Sequence, residues 1–316
     1  MNDPLEKFVE EFDYIPEIIF DNHKDHKDFI VFGMGGSAIS VGLLSKIFPG
    51  VTVRLHNDYG LPKDINKTKT LLIFNSYSGN TEEVLDSFNI AINVGYRVAC
   101  ISTGGELVNQ ASLHSVPHIV LPKTGIEPRF SIGYQMIALL QLMRLFAHKD
   151  DIKEYAQNIN INSARELGRS LAEFINNRSV VIYSSSQNAA IGHTIKAAIN
   201  EGAKHPAFSS IFSEANHNEL EAYSDISDAQ KKEYIFVLLK DADDHPRIQK
   251  RMQIFNDLFV EKGLSPYILY IDTTTGTGVL ETVMMGYYLA TKMAELKGID
   301  PYSTPTIAEF KKRMVQ

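Results

Sequence analysis

The sequence predicts an α/β fold built from two doubly wound, parallel-sheet domains. Short runs rich in Val, Ile and Phe alternate with stretches of helical periodicity, the pattern of strands buried on both faces and joined by helical crossovers. That alternation stops near mid-chain and restarts at Ser179. The length of 316 residues accommodates two domains at about 150 residues each. We therefore expect a first domain over residues 1–150. Residues 151–316 should hold a linker helix, a second domain of similar layout and a C-terminal helix.

Taken in order, the first-half runs are residues 29–32, 51–55, 70–74, 97–101 and 118–121. Residues 38–46 and 82–93 carry helical spacing between them, and the crossovers should be right-handed. Residues 132–147 are apolar on most faces but include Gln135, Gln141 and Arg144. They read as a buried packing helix and not a membrane span, which needs about 18 uninterrupted apolar residues. Ser163, with Glu166 three residues on, has the spacing of a capping box. Leu167, Leu171, Phe174 and Ile175 then make an apolar stripe, so residues 162–176 should form a helix lying against a domain. The second half gives strands at 179–183, 234–239 and 267–271. Its helices are 188–204, stopped by Pro206, then 246–262 and 279–297. Residues 279–289 are as apolar as 132–147. A helix on a free surface shows a polar face, so at least one of the two is expected at a domain or subunit interface.

Composition narrows the function classes. Apolar residues make up 44% and charged residues 22%, which fits a globular chain and not a disordered one. The net charge is −7, from 31 Lys and Arg against 38 Asp and Glu. That balance argues against a general nucleic-acid binder or an anionic-membrane binder. A small anionic substrate stays open, because a few local donors can hold a phosphate. The single cysteine, Cys100, excludes a disulfide framework and a multi-thiolate metal site, and it reads as a buried strand thiol. The polar, acidic N-terminus is unlike a signal peptide, so a cytoplasmic location is expected. His23 and His26 sit in the charged stretch 21–28, which reads as a solvated loop and not a metal site.

Two motifs carry chemistry. Gly33-Met34-Gly35-Gly36-Ser37-Ala38 follows the first strand and opens a helix. Glycine permits a tight turn and close approach of a ligand, and the helix N-terminus offers free N–H groups and partial positive charge. The spacing also matches G-x-G-x-x-A, with Asp58 twenty residues after Ala38 as a ribose-binding acid. On this motif alone a dinucleotide-dependent oxidoreductase remains open, as does a glycine turn serving only strand-to-helix packing. The second motif, Ser76-Tyr77-Ser78-Gly79-Asn80-Thr81, sits between the third strand and a helix, at the sheet edge where open α/β folds bind ligands. Its hydroxyls and N–H groups suit a phosphate monoester. No Walker lysine accompanies it, which argues against nucleotide hydrolysis. A Rossmann enzyme has no phosphate-binding task for such a second loop.

With these two loops the chain resembles the sugar isomerase (SIS) fold. Pro128-Arg129-Phe130-Ser131, Asn200-Glu201-x-x-Lys204 and Asn216-His217-Asn218-Glu219 narrow the resemblance to the bifunctional phosphoglucose/phosphomannose isomerases of archaea and bacteria. It spans roughly residues 25–316 in consistent order. The resemblance implies two SIS domains and a homodimer with shared active sites. It implies that Ser76, Ser78 and Thr81 hold the sugar 6-phosphate and that Gly35, Gly36 and Ser37 line the sugar. Glu201 would move the proton between C1 and C2, and Arg129 would stabilise the enediolate. His217 would assist ring opening, reaching in from the partner subunit. Lys311 matches the family's C-terminal lysine at the ring oxygen, with the adjacent Lys312 as the alternative register. Thr304 falls at the small hydroxyl residue associated with accepting both epimers.

That chemistry is coherent on its own terms. Aldose–ketose isomerisation needs a carboxylate base, a cation where the enediolate oxygen develops charge, and an acid–base pair for ring opening. It requires no metal and no redox cofactor. Other readings give Glu201 a surface role paired with Lys204, Arg129 a salt bridge, and His217 the first turn of a helix that Asn216 and Glu219 cap. His193 and His205, on the same helix as Glu201, read as structural. A phosphosugar-binding regulator would need the phosphate loop but no base, which Glu201, Arg129 and His217 argue against. An amido-sugar isomerase would use the same loop.

Overall fold

The apolar runs of the first half form five parallel strands in the spatial order β2-β1-β3-β4-β5. They are β1 (Asp28–Phe32), β2 (Val53–His56), β3 (Thr70–Asn75), β4 (Val98–Ser102) and β5 (His118–Val120). The structure, a computed structural model, describes residues 4–22 and 25–314, so His23 lies outside the described residues. α1 (Gly36–Ile47), α2 (Glu82–Val94) and α3 (Gly105–Leu113) connect the strands. α3 was not foreseen: nine residues with only Leu107 and Ala111 buried are too few for helical periodicity to register. The chain steps from β1 outward to β2 and from β3 the other way to β4, so the strand order reverses between β1 and β3.

Ile30, Phe32, Leu72, Phe74 and Cys100 form one core of this sheet with Val84 and Phe88 of α2. Phe74 stacks on Phe32 at 4.5 Å and meets Phe88 edge-on at 5.3 Å. Burying each such ring stabilises the fold by roughly 1.5–3 kcal/mol. Cys100 is the buried strand thiol that the sequence predicts, and burial pushes its pKa up.

Residues 132–147 are not one helix. α4 (Ile132–Leu142) ends before Arg144, which takes a φ of 57°, and α5 (Phe146–Gln157) follows. A left-handed residue cannot continue a right-handed helix. α4 packs against α1, α5 and the N-terminal turn Val9–Asp13 of its own unit.

The contacts divide the chain into two units, Met1–Asn158 and Ile159–Gln316. The second unit comprises α6 (Ile161–Ile175), β6 (Ser179–Ser185), α7 (Ala189–Gly202), β7 (Ala207–Phe212), α8 (Ala215–Ala222), α9 (Asp228–Lys231), β8 (Tyr234–Asp241), α10 (Pro246–Glu261), β9 (Tyr267–Ile271), α11 (Gly276–Lys297) and α12 (Pro305–Met314). Its four strands are parallel in the order β7-β6-β8-β9, reversing between β6 and β8. The sequence expectation omitted β7. As an edge strand it leaves Phe208 and Ile211 exposed and carries Ser209 and Ser210, so it lacks a continuous apolar run.

Two expectations about helices need correction. Asn160, not Ser163, caps α6, its Oδ1 accepting from the Ser163 N–H at 3.1 Å. The buried stripe is Ala164, Gly168, Leu171, Ala172 and Ile175, while Leu167 and Phe174 are exposed. Small residues win because α6 approaches α11 closely: a methyl on Gly168 would lie 2.5 Å from the Met285 carbonyl oxygen. That packing also accounts for the apolar stretch 279–289. α6 and α7 of the same unit cover α11, and a methyl on Gly286 would meet Ile195 at 2.8 Å. Neither apolar helix needs a subunit interface to explain its burial. Among the described residues no helix is long and apolar enough to cross a membrane.

Candidate active site

Both chemical motifs of the first unit lie where its strand order reverses. β1 and β3 are parallel neighbours, with Phe32 opposite Phe74, so the loops that follow them leave the same carboxyl edge. The crevice between such loops is where open α/β sheets hold ligands. Gly35 caps α1 with a φ of 52°, a conformation that glycine adopts without a Cβ clash. A methyl on Gly36 would fall 2.5 Å from the Pro128 oxygen and 2.9 Å from the Arg129 nitrogen. Glycine at this position therefore seats the turn Pro128–Phe130 on the loop and brings Arg129 beside Gly35, Gly36 and Ser37. Arg129 is 3% exposed, with its guanidinium 4.7 Å from the Phe130 ring and 3.9 Å from the Glu127 carboxylate.

The loop after β3 closes on itself. Ser76 Oγ and Thr81 Oγ1 lie 2.8 Å apart, the Gly79 N–H donates to Ser76 Oγ at 3.1 Å, and the Asn80 N–H donates to Ser78 Oγ at 3.2 Å. Thr81 is the N-cap of α2 and does not bond the helix N–H groups through its side chain. Three hydroxyls thus stand before a helix N-terminus, a donor set for an anion. Gly79 has a φ of 72°, and a methyl there would come within 1.8 Å of the Gly104 oxygen. The loops after β3 and β4 are accordingly braided, with Thr103 Oγ1 donating to the Tyr77 oxygen at 2.8 Å and the Leu107 N–H to the Gly79 oxygen at 2.9 Å.

Sequence reasoning missed the residues that tie these parts together. Fully buried Asn75, at the end of β3, donates through Nδ2 to the Ser37 oxygen at 3.3 Å and to Gln135 Oε1 at 3.1 Å. Gln135 Nε2 in turn donates to the Pro128 oxygen at 3.2 Å and to Ser131 Oγ at 2.9 Å. One amide pair therefore joins the glycine loop, the base of the serine loop and the Arg129 turn. Its only sequence signal was Gln135 as a polar break in an apolar helix. Glu11 supports the same region, its Oε2 accepting from the Gly133 N–H at 2.8 Å in the first turn of α4. Burial pushes the Glu11 carboxyl well above its ordinary pKa, partly offset by the Gly133 and Tyr134 N–H groups.

The second unit carries Glu201, His217, Thr304 and Lys311, and its own topology keeps the first two apart. α7 starts beyond the carboxyl end of β6 and runs back, so Glu201, half-buried in its last turn, reaches the amino edge of the sheet. There Asn200 Nδ2 donates to the His205 and Ala207 oxygens at 2.8 and 3.2 Å. Exposed His217 lies in the first turn of α8, past the carboxyl end of β7. The six residues of β7 between these ends span about 20 Å. The two helices also cover opposite faces. A methyl on Gly192 of α7 would meet Ser184 and Ile182, whereas Ala215 and Leu220 of α8 pack with Val181 and Tyr183.

Asn216 and Glu219 do not form the expected capping pair. Glu214 occupies the N-cap position, and Asn216 lies inside the first turn. The Glu219 carboxylate instead accepts from the Tyr183 hydroxyl at 2.9 Å and from the Ser210 hydroxyl, clamping α8 to β6 and β7. Burial and the Glu219 charge push the Tyr183 hydroxyl pKa up.

α7 stops earlier than expected because Lys204 takes a φ of 45°. Lys204 Nζ donates to the Gly202 oxygen at 3.1 Å and to the Asp300 oxygen. The Asp300 carboxylate accepts from the N–H groups of Tyr302 and Ser303 at 2.9 and 3.2 Å. The segment leading to Thr304 is thus fastened to the turn after Glu201. Thr304 is half-buried and its oxygen accepts from the Ala308 N–H at 3.0 Å, while Lys311 and Lys312 lie exposed on α12. His205 sits beyond α7, not on it, and is structural: Nε2 lies 2.9 Å from the Arg178 oxygen and Nδ1 2.7 Å from Lys297 Nζ. Burial and then the Lys297 charge hold its pKa down.

The second sheet's reversal point differs from the first. Between β6 and β8, buried Asn188 donates to Asp241 at 2.9 Å, and Thr273 donates to Asp241 as well. Two buried aspartates, Asp241 and Asp244, stand where the first sheet has hydroxyls, so this crevice does not repeat the first one's set of anion donors, and burial pushes the Asp244 pKa up.

The sequence of this chain is similar to those of known phosphosugar isomerases. The family model described as the bacterial phospho-glucose isomerase C-terminal SIS domain matches residues 164–314. A bifunctional phosphoglucose/phosphomannose isomerase of Aquifex aeolicus is 30% identical over 98% of this chain and 97% of its own length. An enzyme of the same name from Thermoplasma volcanium is 32% identical over 90% of both chains. Among solved structures, a glucosamine-6-phosphate deaminase of Thermotoga maritima superposes with a TM-score of 0.69. It is 14% identical and covers 96% of this chain and 95% of its own, a likeness of fold.

Proposed function

The chain belongs to the bifunctional phosphoglucose/phosphomannose isomerase family, and from that premise we propose that it interconverts glucose 6-phosphate and mannose 6-phosphate with fructose 6-phosphate through an enediolate. The observation that carries the reading is the seating of Arg129 beside the glycine loop at a crevice whose other wall is the Ser76–Thr81 loop. In this reading Ser76, Ser78 and Thr81 bind the 6-phosphate, and Gly35, Gly36 and Ser37 line the sugar. Glu201 takes the C2 proton of the open aldose and returns it to C1, and the reverse path uses the same carboxylate. Arg129, desolvated and pre-placed, stabilises the negative oxygen of the enediolate. His217 and Lys311 serve ring opening. Both aldoses lose their difference at C2 when the proton leaves, so one base serves both if the enediolate can turn about C2–C3. Thr304, small and fastened near the Glu201 turn, leaves room for that.

The separation of Glu201 and His217 within one chain supports a homodimer in which each site takes Glu201 from one subunit and His217 from its partner. The test is a coupled assay on both aldose phosphates in the presence of a chelator. Turnover of both is expected, and Glu201→Gln should lower it by about 10²-fold or more while substrate still binds. Binding without turnover in the wild type would point instead to a phosphosugar-responsive regulator.

A further inference from the structure

The Ser76–Thr81 loop presents hydroxyls and N–H groups but contains no cation, while a phosphate monoester brings about −1.5 to −2 charge at neutral pH. A cation reaches the loop from the segment after β5. That strand is parallel to its neighbours, so the segment leaves the sheet at the same carboxyl edge. A methyl built on Gly104 would lie 3.6 Å from both Cε and Nζ of Lys123. The oxygen of that same Gly104 is the atom a methyl on Gly79 would strike at 1.8 Å, so the Lys123 amine stands one residue away from the serine loop. The side chain of the next residue, Thr124, lies beside the Tyr77 hydroxyl, which sets the segment against the loop a second time.

Gly104 is the N-cap of α3, so the amine stands at the positive end of a helix dipole, where an anion is favoured. Lys123 is exposed, and among the described residues no carboxylate pairs with it. An anion in the loop would give it a counter-charge. We propose that Lys123 supplies the positive charge that faces the substrate phosphate across the Ser76–Thr81 loop. The proposal rests on the reading of that loop as the phosphate site.

The test compares Lys123→Met, Lys123→Arg and, as control, Ser78→Ala. KM for glucose 6-phosphate and inhibition by inorganic phosphate are measured across ionic strength. Lys123→Met is expected to raise both KM and the phosphate inhibition constant about tenfold, as for loss of a charge-assisted hydrogen bond, and to flatten their salt dependence. The loss in kcat/KM should fall on KM, because the contact is made alike in ground and transition states. Lys123→Arg should restore most of it. If Lys123→Met leaves both constants within about twofold while Ser78→Ala raises them, the lysine is overturned and the phosphate loop stands. If Ser78→Ala is also silent and phosphate does not compete, the loop reading falls and takes the lysine with it. A fall in kcat at unchanged KM would overturn the charge role in favour of a structural one.

Discussion

Glu201 and His217 stand at opposite edges and on opposite faces of one sheet, about 20 Å apart along β7. A proton donor or acceptor acts only within hydrogen-bond reach, about 3 Å or one water. A site that uses both must therefore draw them from two chains. Glu201→Gln and His217→Ala are each expected to lower isomerase activity by about 10²- to 10⁴-fold when purified alone. In a two-fold dimer the mixed species pairs an intact Glu201 with an intact His217 in one site and both lesions in the other. Random reassortment of equal amounts makes about half the dimers mixed, each with one working site in two. Activity should then recover to about a quarter of wild type. The assay is co-refolding or co-expression of the two variants, isolation of the mixed dimer by differential tags, and coupled measurement of glucose 6-phosphate turnover. Shared sites give the isolated mixed dimer about half of wild-type activity. If it shows only the mean of its two inactive parents, both residues act within one chain, and the reasoning from β7 is refuted.

Three further outcomes follow from the same geometry. Gly79→Ala forces a methyl into the Gly104 carbonyl at a left-handed φ, so about 2 kcal/mol or more of strain should lower Tm by about 4 °C or more and raise KM for phosphorylated sugars; an unchanged melt would mean that the two loops are not braided. Glu11 has a folded pKa raised above its ordinary 4.5, chiefly by burial. The native state then binds more protons than the unfolded chain between those two values, and stability falls as pH rises through that window. Glu11→Gln should gain stability over wild type above the window, with the gap closing toward pH 4.5 in thermal melts, and a gap independent of pH would refute the assignment. Thr304→Gln should depress mannose 6-phosphate turnover more than glucose 6-phosphate turnover, and equal loss on both would place epimer tolerance elsewhere.

Where burial was two-sided, the sequence was enough. The runs that became β1, β3, β4, β6 and β8 are almost wholly buried, so their apolar character was continuous and their ends were set by Gly33, Ser76 or similar turn residues. What escaped was half-exposed or short. β7 sits at a sheet edge and shows Phe208 and Ile211 to solvent, and α3 buries only two side chains. The apolar helices are buried as the sequence predicts, but what covers them was not legible in it. Periodicity reports that a face is hidden and not what hides it. Gly168 and Gly286 explain the difference: glycine lets α6 and α7 close on α11 within one unit, and a hydropathy pattern cannot register a residue whose contribution is the absence of a side chain.

The candidate site shows the same division. Gly35, Gly36, Ser37, Ser76, Ser78 and Thr81 were legible because a strand–glycine–helix or strand–serine–helix junction has a local mechanism: a tight turn, a capped helix, free N–H groups. Arg129 became a neighbour of these loops for a reason visible only in three dimensions, the missing Cβ of Gly36 against the Pro128 carbonyl. Asn75 and Gln135 were silent, since a buried amide bridging Ser37 and Pro128 has no spacing rule. The Asn-His-Asn-Glu stretch misled because its local rule, the capping box, lost to a tertiary one: Glu219 bonds Tyr183 and Ser210, which lie 36 and 9 residues away in sequence. That clamp has a functional consequence. It fixes α8, and His217 with it, to the face of the sheet opposite α7, so the residue that looked like a helix cap is the one that directs the histidine away from its own Glu201. A change at Glu219 would therefore loosen the placement of His217 without touching Glu201, so in the proposed shared site the histidine's geometry would depend on the sheet face and not on the histidine alone.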